Sequence, residues 1–149
     1  MATVQYTKEA AVAPLPCLLI IEDEPLQSAM IGRLAGAVGF ESVVARTVAD
    51  AAALLQAIPF DCITLDLSLR GEHGADLLRL LGDLRYQARI IIVSGATGLQ
   101  LELTTSIARS HKLNVCEPMP KPVHADELRK QFARIRADLR AKPTARAAG

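Results

Sequence analysis

Short apolar runs recur along the chain, and between them apolar residues return at the three- and four-residue spacing of helices. Cys17-Leu18-Leu19-Ile20-Ile21, Ser42-Val43-Val44-Ala45, Cys62-Ile63-Thr64-Leu65 and Ile90-Ile91-Ile92-Val93 read as strands, the continuous ones buried on both faces. Leu113 to Cys116 is a weaker fifth strand. Leu26, Met30, Leu34 and Val38 predict a helix that starts at Pro25 and stops near Gly39. Thr47 and Asp50 resemble a capping box ahead of Ala51, Leu54, Leu55 and Ile58. Leu77, Leu78, Leu81 and Leu84 mark a third helix, and a fourth lies between Thr97 and His111. The last runs from about Asp126, with Leu128, Phe132, Ile135 and Leu139 on one face. Strands alternating with helices predict an α/β domain with a doubly wound, five-stranded parallel sheet.

Composition narrows the picture. The chain has 149 residues, half of them hydrophobic but only 3% aromatic, so one core of Leu, Ile, Val and Ala is expected. Residues 1–16 read as an N-terminal extension, 17–140 as the domain and 141–149 as a tail. The formal net charge of +1 gives no global reason to expect nucleic acid or a membrane as partner. No apolar run reaches the ~18 residues of a span, and the first residues lack a signal peptide's pattern, so a cytoplasmic location is expected. Cys17, Cys62 and Cys116 have no metal-ligand spacing and read as free thiols. The basic stretch from Arg129 to Arg146 reads as a solvated helix face, with a docking surface for an acidic partner as the alternative, and His73, His111 and His124 as surface residues.

Polar residues gather where strands end. Glu22 and Asp23 follow the first strand, Asp66 the third and Ser94 the fourth, while Lys121 follows the fifth, just before Pro122. In a doubly wound sheet these positions share one edge. Clustered carboxylates repel unless a cation or protons intervene, and a few hard oxygen donors suit Mg²⁺. A metal on Asp23 and Asp66 would offset the charge of an incoming phosphoryl group and present Asp66 as nucleophile. Lys121 and the Ser94 hydroxyl would meet the remaining phosphoryl oxygens.

Four segments, in order, resemble bacterial response-regulator receiver domains: Leu18-Leu19-Ile20-Ile21-Glu22-Asp23-Glu24, Asp61-Cys62-Ile63-Thr64-Leu65-Asp66-Leu67, Ile91-Ile92-Val93-Ser94-Gly95-Ala96 and Pro120-Lys121-Pro122. The resemblance implies a flavodoxin-like (βα)5 receiver fold. It further implies that Asp66 accepts phosphate from a histidine kinase or histidine phosphotransferase and that the domain signals to a downstream protein. Asp23 would bind Mg²⁺ directly, Glu22 largely through water, and the Ser68 carbonyl would complete the site. Ser94 and Lys121 would hold the phosphate, and the Lys121–Pro122 peptide would be cis.

Some positions depart from the family. Arg70 and His73 stand where Pro and Asp are usual, and Pro118 replaces an aromatic residue. Pro118 cannot swing inward as a ring does, so the signal is expected to pass through the Gly95–Gly98 loop and the helix after it. Ser68 and Ala96, where water-placing side chains are common, predict slow phosphate loss. Residues 143–149 are too short for an output domain, so a stand-alone receiver is expected. The alternative is a pseudo-receiver, a binding module that does not use phosphorylation. A haloacid-dehalogenase-type phosphatase would want an acid where Ser68 stands, and a flavodoxin would want a phosphate-cradling loop where Glu22-Asp23-Glu24 stand.

Overall fold

The structure is a computed structural model that describes residues 15–69, 71–95 and 98–141. Its elements alternate along the chain. Strand β1 (Cys17–Ile21) leads to helix α1 (Pro25–Ala37), β2 (Glu41–Ala45) to α2 (Val48–Ala57), and β3 (Cys62–Leu65) to a two-rung hairpin of β4 (Ser68–Leu69) and β5 (Glu72–His73). Then come α3 (Ala75–Asp83), β6 (Arg89–Ser94), α4 (Leu99–Ser110), the short β7 (Asn114–Val115) and β8 (Met119–Pro120), and α5 (Ala125–Ala141).

The main sheet is parallel, in the order β2-β1-β3-β6-β7, with β8 also on β6. The side-chain period of two divides its residues between two layers. Leu19, Ile21, Ile63, Leu65, Ile90 and Ile92 pack with the buried leucines of α3 and with Ala51 and Leu55 of α2. Leu18, Ile20, Cys62, Ile91 and Val93 pack with Ile31 and Ala35 of α1 and with Leu128, Phe132 and Ile135 of α5. Both faces are covered, so the doubly wound expectation holds.

Local details differ from the expected pattern. Leu26 is 80% exposed; α1 buries Ser28, Ile31 and Ala35 instead, with Met30, Leu34 and Val38 flanking them. The fifth strand is two pieces, β7 and β8, because Pro118 and Pro120 have no N–H to give to a ladder. Pro16 is buried and its carbonyl accepts from the Glu41 N–H at 3.0 Å, so this residue packs with the start of β2. At the other end α5 includes Ala141. The expected extension at 1–14 and the tail beyond Ala141 lie outside the described residues. Cys17 and Cys62 are buried, Cys116 is half-buried, and all are free thiols.

The α1–α5 layer turns on Phe132, which is fully buried with its ring 5.8 Å from that of Phe40. Phe132→Ala should cost about 3–5 kcal/mol of unfolding free energy in urea titrations. Leu26→Ala should change it by less than about 0.5 kcal/mol.

Candidate functional site

The site assembles at the carboxyl edge of the sheet, because each strand stops where its apolar run gives way to a polar residue. The Glu22 N–H donates to the Ala45 carbonyl and the Asp66 N–H to the Ile21 carbonyl, both at 3.0 Å, so the ladder continues into the two acids and fixes their backbones. Glu22 and Asp66 are nearly inaccessible, at 1% and 3% exposure, and Asp23 is half-buried. One carboxylate oxygen from each of Glu22, Asp23 and Asp66 can be chosen so that all lie within 4.8 Å of one another. The third acid of the run does other work: the Glu24 carboxylate accepts from the Leu26 N–H at 3.2 Å and caps α1.

Lys121 binds this cluster together. Its Nζ donates to Glu22 Oε1 and to Asp66 Oδ2, each at 3.0 Å. The ammonium reaches them from the turn after β8, where the Lys121 N–H donates to the Ser94 carbonyl at 3.1 Å and the Lys121–Pro122 peptide is cis, as expected. Backbone donors occupy the other oxygens. The Ser68 N–H donates to Asp66 Oδ1 at 2.9 Å, and the Glu24 N–H donates to Glu22 Oε2 at 3.2 Å. Ser94 ends β6, is buried, and pairs with Pro120; continuing the Leu65–Ile92 register puts it one residue past the position beside Asp66.

Burial dominates the electrostatics of Glu22 and pushes its carboxyl up to about 7, with the Lys121 hydrogen bond opposing and the Asp66 charge adding to the rise. Burial alone would lower the Lys121 ammonium, but the hydrogen bonds and charges of Asp66 and Glu22 outweigh it and hold the ammonium above its ordinary value. The donor set fits a small divalent cation. Oxygens on opposite sides of Mg²⁺ stand about 4.2 Å apart, twice the bond length, so small side-chain adjustments would gather these three.

Sequence reasoning missed one determinant. Gly74 is buried against the strand-end backbone: a Cβ there would stand 2.5 Å from the Asp66 carbonyl oxygen and 3.0 Å from Leu67 Cα. The β4–β5 hairpin, which folds the chain back onto the acid it has just left, creates this approach. A glycine in a loop is visible in the sequence, but its long-range neighbour is not. Arg70, Ala96 and Thr97, which figured in the expectations, lie outside the described residues. His73 and His124 are exposed as expected, whereas His111 is half-buried against α3.

Comparison with known proteins identifies the family and the fold. Residues 18–133 match the family model of the response regulator receiver domain. The photosynthetic apparatus regulatory protein RegA of Cereibacter sphaeroides is 31% identical over 114 residues, 74% of this chain and 57% of RegA, so the chain spans little more than half of that relative. A CheY-like receiver domain protein from Methanospirillum hungatei superimposes with a TM-score of 0.73 at 20% identity, over 86% of this chain and 98% of that one. A Burkholderia pseudomallei response regulator, solved with a phosphorylated aspartic acid, a calcium ion and citrate, gives 0.67 at 23% identity, over 85% and 72%.

Gly74→Ala should lower stability by about 1–3 kcal/mol in urea titrations, because the added methyl displaces the Asp66 carbonyl. In chelator, the raised Glu22 pKa means that the folded state holds a proton the unfolded chain releases. Its contribution to stability is complete below about pH 4.5 and is lost as pH rises through about 7. Glu22→Gln should flatten that decline in urea midpoints measured between these limits.

Proposed function

Since the chain belongs to the response regulator receiver domain family, we propose that it is a phosphorylatable switch whose acceptor is Asp66. The observation that carries this reading is the double hydrogen bond from Lys121 Nζ to Glu22 and Asp66. It holds a strand-end carboxylate at an acidic edge beside a cation that can also meet a phosphoryl oxygen.

In the transfer, an Asp66 carboxylate oxygen attacks phosphorus, the phosphohistidine N–P bond breaks, and the bonding pair returns to the donor imidazole. The N–H of Ser68 and the ammonium of Lys121 fix the carboxylate for attack. Asp23, Asp66, the Ser68 carbonyl and, through water, Glu22 would hold Mg²⁺. When bound, Mg²⁺ supplies charge neutralisation for the incoming phosphoryl group. The Ser94 hydroxyl and Lys121 then hold the phosphoryl oxygens. The donor is a histidine kinase or histidine phosphotransferase, and the output is a protein–protein contact.

Output is routed through α4. Pro118 has no aromatic ring to turn inward, and it lines a groove of about 450 Å³ against Leu101, Thr105 and Arg109 of α4. Movement of Ser94 toward a phosphoryl group would pull on the chain leading to Gly98, whose φ of 62° is left-handed, and so on the start of α4. Phosphorylation biases the helix only through that differential contact.

Acetyl phosphate with Mg²⁺ should label the wild type, and Asp66→Asn should abolish labelling while leaving the unfolding midpoint near its original value. Undiminished labelling of Asp66→Asn would move the acceptor elsewhere, and an unlabelled wild type would favour the pseudo-receiver reading. Followed after the donor is removed, the acyl phosphate should persist for minutes or longer, since the short Ser68 side chain places water poorly. Hydrogen exchange with and without beryllofluoride should show altered protection across Leu99–Ser110; unchanged protection would favour a domain that only stores or relays phosphate.

A further inference from the structure

We propose that the recess at the opposite edge of the sheet, between the C-terminal ends of α3 and α4, binds a small polyvalent oxyanion bearing phosphate or carboxylate groups. The recess holds about 440 Å³, within the roughly 300–1,000 Å³ of small-molecule sites, and its walls include Arg85, Tyr86, Ser110, His111 and Lys112. Among the described residues, no carboxylate lines it.

The two helices end in the same way. After α3, the Arg85 N–H donates to the Gly82 carbonyl at 3.0 Å and the Tyr86 N–H to the Leu81 carbonyl at 2.9 Å. After α4, the Lys112 N–H donates to the Arg109 carbonyl at 3.0 Å and the Leu113 N–H to the Ala108 carbonyl at 3.1 Å. These are paired Schellman closures, with Arg85 at φ 52° and Lys112 at φ 58° in the left-handed position that glycine occupies at least strain. A cation near a helix C-terminus is favourable in itself, but any position in the last turn would serve. Both helices instead put the long cation at the strained position, on the rim of one recess.

The backbone closures leave the side-chain donors uncommitted. Among the described residues, the side chains of Arg85, His111 and Lys112 make no hydrogen bond or ion pair with the protein. The walls are nevertheless fixed. The Tyr86 hydroxyl donates to the Ile58 carbonyl at 3.1 Å and accepts from the Phe60 N–H at 2.7 Å. The His111 imidazole lies so close to Gly82 that a Cβ there would stand 2.5 Å from its Nδ1. A guanidinium fork, an ammonium and an imidazole around a recess without acids match an oxyanion of more than one charge.

The test is an NMR titration of the full chain carrying Asp66→Asn, in chelator and at constant ionic strength, with inorganic pyrophosphate in one arm and citrate in the other. Saturable shifts at Tyr86, His111 and Lys112 in either arm support the site, and the arm that binds more tightly assigns phosphate or carboxylate. Arg85→Gly with Lys112→Gly keeps the closures and relieves the strain, so its melting temperature should equal or exceed the original while affinity falls at least about tenfold. Shifts that grow without saturation in both arms, or affinity unchanged in the glycine variant, overturn the proposal.

Discussion

Three carboxylates at the edge of a buried sheet repel unless a positive charge or a proton stands among them, and the arrangement of the site follows from that constraint. Lys121 meets it by donating to Glu22 and Asp66 at once. The requirement explains why a residue far along the chain must be delivered to the ends of β1 and β3, and why the turn after β8 is tied to Ser94 through the Lys121 N–H. It also gives the ammonium two alternative uses. It steadies the acids, and in the proposed switch it would pass to a phosphoryl oxygen.

The same region shows how a scaffold absorbs an unusual sequence. Pro118 and Pro120 break the fifth strand, yet β8 still pairs Met119 with Val93 and Pro120 with Ser94, so Lys121 arrives at its place. What changes is the path outward. Where an aromatic side chain would connect Ser94 to the surface, a fixed pyrrolidine ring faces α4 across a groove. The helix is held by few buried side chains: like α2 it buries two residues, here Thr104 and Ala108, while Leu99 and Leu103 are 69% and 56% exposed. In the proposed switch, this few-anchored helix is the element that a change at Ser94 would shift.

The layer architecture was legible in the sequence because both faces of a parallel sheet are covered, so its central strands are nearly continuous apolar runs with little ambiguity of period. The strand-end positions of Glu22, Asp23, Asp66 and Ser94 followed directly, since topology alone gathers them at one edge. The α1 stripe was misread at Leu26, because four leucine-like positions at helical spacing do not say which side of the stripe meets the sheet; the smaller Ser28 and Ala35 do so here. The β4–β5 hairpin and the contact of Gly74 with the Asp66 backbone were invisible, since each depends on a chain reversal with no apolar signal. The double engagement of Lys121 could be placed at the right edge but not resolved into partners, which are set by side-chain reach.

The Lys121 ammonium balances carboxylates that would otherwise take up a metal more strongly. Calorimetric titration of Lys121→Gln with Mg²⁺, beside the wild type at the same pH, reads this balance. Mg²⁺ should bind the variant about tenfold tighter, the effect of removing roughly 1.4 kcal/mol of cation–cation opposition. Unchanged or weaker affinity in Lys121→Gln would show that the ammonium does not oppose the metal.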